Sequence, residues 1–277
     1  MNNLHFSVLL SVYCKEKPNY LQLALQSIWD NQTRKPSEIV VVKDGKLTEE
    51  LELMLSNFAK TAPVKFIVNE QNMGLAYSLN KGLEACSYDI VARMDTDDIC
   101  FPKRFEKQID YLLQHPEIDI LGSFATKIDE NGKEIGLMIV PIEHDNINRL
   151  IWTCPLIHPS VMYKKEKIIS IGSYNLNAGV RQDDYELWFR CAINKLKFAN
   201  LKESLLYYRF SEDNVKKNNI CVGINRLKVG FKGCRNLKYP FIAYIGVAVP
   251  LIRSLFPYPL NVWFNELMIK YNPKSKA

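Results

Sequence analysis

Four short apolar runs, each ending in polar residues and separated by segments of helical spacing, constrain the fold more than any other feature of the chain. They are Phe6-Ser-Val-Leu-Leu-Ser-Val-Tyr13, Glu38-Ile-Val-Val-Val42, Val64-Lys-Phe-Ile-Val68 and Asp89-Ile-Val-Ala-Arg-Met94. Nearly continuous apolar runs of this length suit strands buried on both faces of a parallel sheet. Between them, Pro18 opens a helix with Leu21, Ala24, Leu25 and Ile28 on one face, proline being favoured at a first helical position. A second helix starts near Thr48, where Glu49 and Glu50 suit the positive end of the helix dipole, and a third spans Leu75 to Ala85. The rhythm β-α-β-α-β-α-β predicts an open, mostly parallel α/β sheet with right-handed crossovers. Ligands of such sheets sit beyond the carboxyl ends of the strands. Three strands end there in polar chemistry: Tyr13, Asp44-Gly45, and Asp95 onward.

After Asp98 the pattern changes. Pro102 begins a helix carrying Phe105, Ile109, Leu112 and Leu113, and Glu130-Asn131-Gly132 is a hairpin signal between strands at 119–128 and 134–140. The later elements therefore predict a mixed sheet rather than an independent second domain. The sequence lacks G-x-G-x-x-G after the first strand, G-x-x-x-x-G-K-[ST], G-x-S-x-G and H-E-x-x-H. Dinucleotide oxidoreductases, P-loop NTPases, α/β-hydrolases and zincins are disfavoured accordingly. The seven cysteines are scattered without a C-x-x-C pair, which suits reduced thiols packed as small hydrophobes.

The chemistry then rests on carboxylates. Arg93-Met-Asp95-Thr-Asp97-Asp98 sets three acids in four residues at the end of an apolar strand. Crowding like charges costs free energy unless a cation or donor array offsets it. Mg²⁺ or Mn²⁺ does so with one or two carboxylates plus substrate phosphates. Asp97 and Asp98 are the candidate metal and ribose-side ligands, with Asp95 in support; helix capping ahead of Pro102 is the plainer explanation. A second group, Gln182-Asp183-Asp184-Tyr185-Glu186, begins a helix with Leu187, Trp188 and Cys191 on its apolar face. A carboxylate fixed there and aimed into a cleft can act as a general base, although simple capping would also account for it.

Taken in order, these segments resemble the family 2 glycosyltransferases, an inverting group with the GT-A fold, and in particular bacterial enzymes of capsule, O-antigen or exopolysaccharide synthesis. The likeness covers about residues 5–210. Beyond the strands it rests on Leu25-Gln-Ser-Ile-Trp29 with Gln32, Asn69-Glu-Gln-Asn-Met-Gly74 through Asn80 and Gly82, Pro102-x-Arg104 with Gln108, His158-Pro-Ser-Val-Met162, and Asp183-Asp-Tyr-Glu-Leu-Trp188. It implies a GT-A (nucleotide-diphospho-sugar transferase) domain at 1–213, with a nucleotide-sugar half to about residue 98 and an acceptor half from about 99. It also implies a metal-dependent, inverting hexosyl or N-acetylhexosaminyl transfer from a UDP-sugar to a glycan hydroxyl.

Position by position, the resemblance puts Tyr13 and Asp44 at the uracil–ribose end, Asp97 near the ribose, and Asp98 on the Mn²⁺ or Mg²⁺ bridging the diphosphate. It puts Asn72, Gly74 and Arg93 around the sugar nucleotide, Asp184 as catalytic base, and Asp183 as the acid before it. Two departures stand out. The usual Asp-Asp-Gly-Ser turn is Lys43-Asp44-Gly45-Lys46, and Tyr208-Arg209 is followed by Phe210-Ser-Glu where many relatives have a histidine. Arg209 is then expected to share leaving-group stabilisation with the metal. His158 is read as a packed His-Pro turn rather than a ligand.

The net charge of +6 conceals an asymmetry: residues 214–277 hold eleven Lys/Arg against the single acid Glu266, a segment at +10, which leaves the first 213 residues at −4. A basic end suggests an anionic partner: nucleic acid, acidic lipid or a phosphate-bearing substrate. Phe241 to Val249 is apolar but too short to span a bilayer. Lys228, Lys232, Arg235, Lys238 and Arg253 surround it, and Tyr258, Trp263 and Phe264 follow. Such a segment reads as interfacial, and would suit an acceptor on a polyprenyl diphosphate at the inner face of the cytoplasmic membrane; a helical hairpin packed on the catalytic domain is the competing expectation. Met1 to Tyr13 has no basic n-region, so a cytoplasmic, peripherally bound enzyme is expected, with no nucleic-acid partner. The alternative is a non-catalytic sugar-nucleotide-binding protein with a degenerate transferase fold.

Overall fold

The computed structural model describes residues 4–210 and 219–255. In chain order its elements are β1 (Phe6–Val12), α1 (Pro18–Ile28), β2 (Glu38–Asp44), α2 (Glu49–Phe58), β3 (Val64–Asn69), α3 (Leu75–Ala85), β4 (Ile90–Arg93) and β5 (Ile99–Cys100). There follow α4 (Arg104–Gln114), β6 (Ile120–Ile128), β7 (Glu134–Met138), α5 (His144–Arg149), β8 (Met162–Lys164), α6 (Lys165–Ser170), α7 (Asp183–Ile193), β9 (Phe198–Arg209), α8 (Ile220–Asn236) and α9 (Phe241–Ser254). The four expected strands form one parallel block ordered β3-β2-β1-β4, and the sheet continues through β8, β6, β9 and β5 with β7 on the flank of β6. β8 is antiparallel to β4 and β6, while β9 runs parallel to β6. The result is the mixed, mostly parallel sheet that the sequence pattern predicts.

The apolar runs are continuous because each strand feeds two cores. Val8, Leu10, Val12, Ile39 and Val41 face α1, α2 and α4, packing with Leu21, Leu25, Leu51, Leu55, Phe105 and Ile109. Leu9, Val40 and Val42 point to the other face, against Leu79 and Leu83 of α3 in a core that also holds Tyr185, Trp188 and Phe189 of α7. Fully burying one such side chain is worth roughly 1.5–3 kcal/mol. The register Leu9↔Val40 and Leu9↔Arg93 aligns the carboxyl ends of β1, β2 and β4, so the polar residues that follow them emerge along one edge. Thr48 caps α2 through its hydroxyl, which accepts from the Leu51 amide.

The two helices of the basic segment are not detached. Cys234 of α8 and Ala243 and Val247 of α9 are buried in the core shared with α7. Glycines permit the approach: a Cβ on Gly233 would lie 2.2 Å from the Phe189 ring, and one on Gly246 2.0 Å from Trp152. The packed hairpin weighed in the sequence reading is therefore what the described part of the tail forms. Tyr258, Trp263 and Phe264 lie outside the described residues. Among the described residues no helix is long and apolar enough to cross a membrane.

In the same core, α3 approaches β1 and β2 so closely that a Cβ on Gly82 would sit 2.3 Å from Leu9 Cδ1 and 2.8 Å from Val42 Cγ2. Overpacking a filled core costs about 1–3 kcal/mol. Gly82→Ala is accordingly expected to lower Tm by several degrees in calorimetry; an unchanged Tm would show that α3 shifts freely on the sheet.

Candidate active site

The acidic turn 95–98 is pinned at both ends by the sheet. Before it, the Arg93 amide donates to Val161 O and the Met94 amide to Leu9 O. After it, β5 pairs antiparallel with the end of β9, Ile99 opposite Tyr207. The clasp is completed by Arg209, whose amide donates to Asp98 Oδ1 (2.8 Å) and whose Nε donates to Asp97 O (2.9 Å). Its Nη1 reaches Asp129 O and Glu130 O in the β6–β7 turn, and its guanidinium lies 4.1 Å from the Tyr20 ring centroid. Arg209 is thus a buried cross-brace, with its Nε and Nη1 donors committed to backbone carbonyls.

Arg93, also buried, bonds Asp95 Oδ1 through Nη2, while its Nε and Nη1 find no hydrogen-bond partner among the described residues. Its positive charge opposes the rise in pKa that burial imposes on Asp97, Asp98 and Asp183 alike. Asp97 is pushed up to about 6, by burial first and then by the charge of Asp95. Asp98 is raised well above its ordinary value by burial, then by the charges of Asp97 and Asp95, and among the described residues its buried Oδ2 has no hydrogen-bond partner.

Two cavities open along this edge. One, of about 620 Å³, is lined by Tyr13, Lys15, Tyr20, Asp44, Asn72, Gly74, Leu75, Asp95, Asp97 and Arg209 among others. Asp44 organises its far wall: Oδ1 accepts from Asn69 Nδ2 (2.9 Å) and the Met73 amide (2.8 Å), and Oδ2 from the Gly74 amide (3.0 Å). Gly74 caps α3 at φ +88°, a left-handed conformation that a side chain would strain. The carboxylate expected to face a ribose is therefore also the staple of the 69–74 loop.

The second cavity, about 730 Å³, contains Asp183, Asp184, Cys154, His158 and Tyr208, and it shares Leu75 and Asp95 with the first. Asp183 and Asp184 stand in the first turn of α7. Asp184 Oδ1 accepts from the Tyr185 amide (2.8 Å) and Oδ2 from the Cys154 thiol (3.7 Å). Burial raises its pKa, against the opposing pull of Arg226. Asp183 rises to about 6, through burial and then through its neighbour Asp184. Tyr208 registers the convergence: burial first, then the charges of Asp98, Asp95, Asp97 and Asp184 push its phenol upward.

The structure thus brings Tyr13, Asp44, Asn72, Gly74, Asp95, Asp97 and Arg209 to one cavity and Asp95, Asp183 and Asp184 to the next. Asp98 and Arg93 line neither. His158 fits its packed reading: Nε2 shares a hydrogen bond with Tyr174 Oη (2.8 Å), and burial depresses its pKa. Tyr208, Cys154 and Tyr20 were not anticipated. Tyr208 alternates with Arg209 on β9, a two-residue period that could have marked it, whereas Cys154 reaches Asp184 through a left-handed backbone (φ 59°) that no motif announces.

For a divalent cation, the acidic turn offers carboxylate oxygen, the class of donor that hard ions prefer. Asp95 and Asp97 face the cavity, and the crowding of acids around the buried Asp98 Oδ2, which has no hydrogen-bond partner among the described residues, fits a cation nearby. Among the described residues no group of three or more His, Cys, Asp or Glu side chains is gathered as a metal cage.

Residues 7–172 match the family described as Glycosyl transferase family 2. The chain is 41% identical over 213 residues to the amylovoran biosynthesis glycosyltransferase AmsE of Erwinia amylovora, covering 76% of this chain and 79% of that protein. It is 32% identical over 267 residues to the UDP-Gal:alpha-D-GlcNAc-diphosphoundecaprenol beta-1,3-galactosyltransferase of Escherichia coli, covering 96% and 95%. In fold it resembles the mannosyltransferase PcManGT of Pyrobaculum calidifontis, solved with GDP-Man and Mn²⁺, at TM-score 0.64 and 15% identity over 96% of this chain and 74% of that one.

The raised pKa of Asp183 has a consequence for stability. Its ionised form is disfavoured in the fold relative to the unfolded chain, whose value is 3.8, so the penalty is complete above about pH 6 and fades as pH falls towards 3.8. Asp183→Asn is expected to have a higher Tm than the parent at about pH 8 and the same Tm at about pH 4. Equal Tm values at both pH values would refute the burial argument.

Proposed function

The chain belongs to Glycosyl transferase family 2, and from that premise we propose an inverting transfer of a sugar from a UDP-sugar to a hydroxyl of a lipid-linked glycan in surface polysaccharide synthesis. The observation that carries this reading is the pair of cavities meeting at Leu75 and Asp95, one bounded by Tyr13, Asp44 and Asp97, the other holding Asp183 and Asp184. The names of the E. coli and Erwinia relatives support the donor, the acceptor class and the pathway.

In this mechanism the nucleotide lies in the smaller cavity, its base and ribose between Tyr13 and the Asp44-stapled loop. Asp97 and Asp98, with Asp95 in support, would hold Mn²⁺ or Mg²⁺, and Asp98 also anchors β9 by accepting the Arg209 amide through Oδ1. When bound, the cation neutralises charge that grows on the departing diphosphate. Arg93 fixes Asp95 from below, and Arg209 acts by keeping the acidic turn in place rather than by touching the leaving group. In the larger cavity Asp184 accepts the proton of the acceptor hydroxyl while that oxygen bonds to the anomeric carbon. The bond from that carbon to the diphosphate oxygen breaks on the opposite face, so the anomeric configuration inverts. Its raised pKa makes Asp184 a stronger base than an exposed aspartate.

Residues 214–277 are read as an extension of the catalytic domain 1–213 that also meets the inner membrane surface. Phe241, Ile242, Ile245, Ile252 and Leu255 are exposed along α9, and Ile220, Ile224 and Phe231 along α8. Lys228, Lys232 and Arg235 are exposed beside them on α8, the combination that anionic interfaces attract.

Asp184→Asn is expected to lower transfer by about 10²–10⁴-fold while leaving UDP affinity within about twofold; undiminished turnover would place the base elsewhere. For the membrane, the full chain is expected to float with phosphatidylglycerol vesicles, and Phe241→Asp/Ile245→Asp to remain in the dense fraction. Equal flotation of parent and variant would discard the α9 surface as the contact.

A further inference from the structure

Arg209 is expected from sequence to act on the leaving group, yet its Nε and Nη1 are committed to the carbonyls of Asp97, Asp129 and Glu130. The residue before it is placed differently. Successive residues of a strand point to opposite sides: Arg209 lines the smaller cavity, and Tyr208 lines the larger one with Asp95, Asp183 and Asp184. Both neighbours fix the Tyr208 backbone. Tyr207 pairs with Ile99 directly after the acidic turn, and the Arg209 amide donates to Asp98 Oδ1 at 2.8 Å. The Tyr208 side chain packs against the core shared with α1, α2 and α4. Its hydroxyl forms no hydrogen bond among the described residues and is not sealed from solvent. Burial, and then the charges of Asp98, Asp95, Asp97 and Asp184, hold the phenol protonated. At neutral pH it is therefore an uncommitted O–H donor, within reach of the charge of both the acidic turn and the candidate base.

We propose that the Tyr208 hydroxyl donates a hydrogen bond to the diphosphate oxygen that leaves the anomeric carbon, which makes Tyr208 a catalytic residue of the transfer. The assignment rests on the transferase reading. A sugar that crosses at Leu75 and Asp95 has its scissile bond between the acidic turn and Asp184, the two sets of charge that act on this phenol. A phenol among carboxylates ordinarily donates to one of them; this one donates to none, and an oxygen on which negative charge grows is the acceptor it matches. The attacking hydroxyl is the poorer match, because it must lose a proton to Asp184 and gains nothing from a second donor. As the carbon–oxygen bond breaks, its electron pair stays on the diphosphate oxygen. The proton of the attacking hydroxyl goes to Asp184, and the phenol keeps its own, so its hydrogen bond strengthens without proton transfer. Strand pairing holds the donor in place beforehand, and a preorganised donor at a developing oxyanion is worth far more than one that must be reoriented.

The test compares the full chain with Y208F, which removes one oxygen and keeps the ring. UDP-galactose, UDP-glucose and UDP-N-acetylglucosamine are assayed for hydrolysis with Mg²⁺, so that water takes the place of the glycan and the leaving group stays the same. With whichever donor the parent cleaves, Y208F is expected to lose about 10²-fold in kcat with KM unchanged. Its affinities for UDP and for that UDP-sugar, measured by calorimetry, are expected to stay within about twofold of the parent's. Hydrolysis by Y208F at the parent's rate overturns the assignment, since a hydroxyl that serves only the glycan would leave this reaction untouched. A loss of UDP affinity in step with turnover, or a Y208F chain that fails to fold, would make the hydroxyl a support of the nucleotide site and overturn it equally. Failure of the parent to bind UDP or to cleave any of the three donors would remove the UDP-sugar reading itself, an outcome separate from these.

Discussion

The contact between Arg209 and the acidic turn holds the two halves of the site to one another. The turn arises from β4, in the parallel block, and Arg209 ends β9, the parallel partner of β6. One amide on Asp98 and one guanidinium on the Asp97 carbonyl join these regions across 111 residues of sequence. Because the same guanidinium also reaches the β6–β7 turn and stacks on Tyr20 of α1, a single side chain sets the relation among four segments. A buried cation is normally costly; here Nε and Nη1 meet backbone carbonyls, and the charge opposes the rise in pKa that burial imposes on Asp97.

Below the surface the site is braced by side chains that touch no cavity. Buried Arg104 donates to Arg93 O and Gln108, and Gln108 donates to Ser160 O. Gln32 ties Ser27 O to Phe101 O and accepts the Phe105 amide. Asn80 exchanges two hydrogen bonds with the backbone of Tyr174, whose hydroxyl reaches His158. These residues are among those that carried the family resemblance, so much of the recognisable pattern encodes the rigidity behind the carboxylates rather than contact with ligand.

This explains what could be read from the chain. β1, β2 and α3 were legible because their periodicity is local: every residue of the Ile39–Val42 run is apolar, β1 is interrupted only by serine, and Leu79 and Leu83 recur at helical spacing. The acidic turn and the Asp183-Asp184 helix start were legible for the same reason. The two-residue β5 was not, since it exists only by pairing with Leu206 and Tyr207 a hundred residues on. Nor could Asp98 be separated from Asp97, because three adjacent acids look alike until a partner amide selects one of them. The basic tail showed its charge, but which arginines turn inward depends on small residues of α8 fitting against α7 and α9, a tertiary fact.

Leu75 and Asp95 form the threshold between the two cavities, and both are set by backbone. Leu75 opens α3 immediately after the Gly74 cap tied to Asp44, and Asp95 leaves β4 just past the register with β1. The span over which a sugar must pass is consequently a dimension of the sheet, not of a mobile loop. Evolution can then alter what enters from either side, through Asn72 and Lys15 on one flank or Arg226 and Arg253 on the other, without changing the length of the crossing.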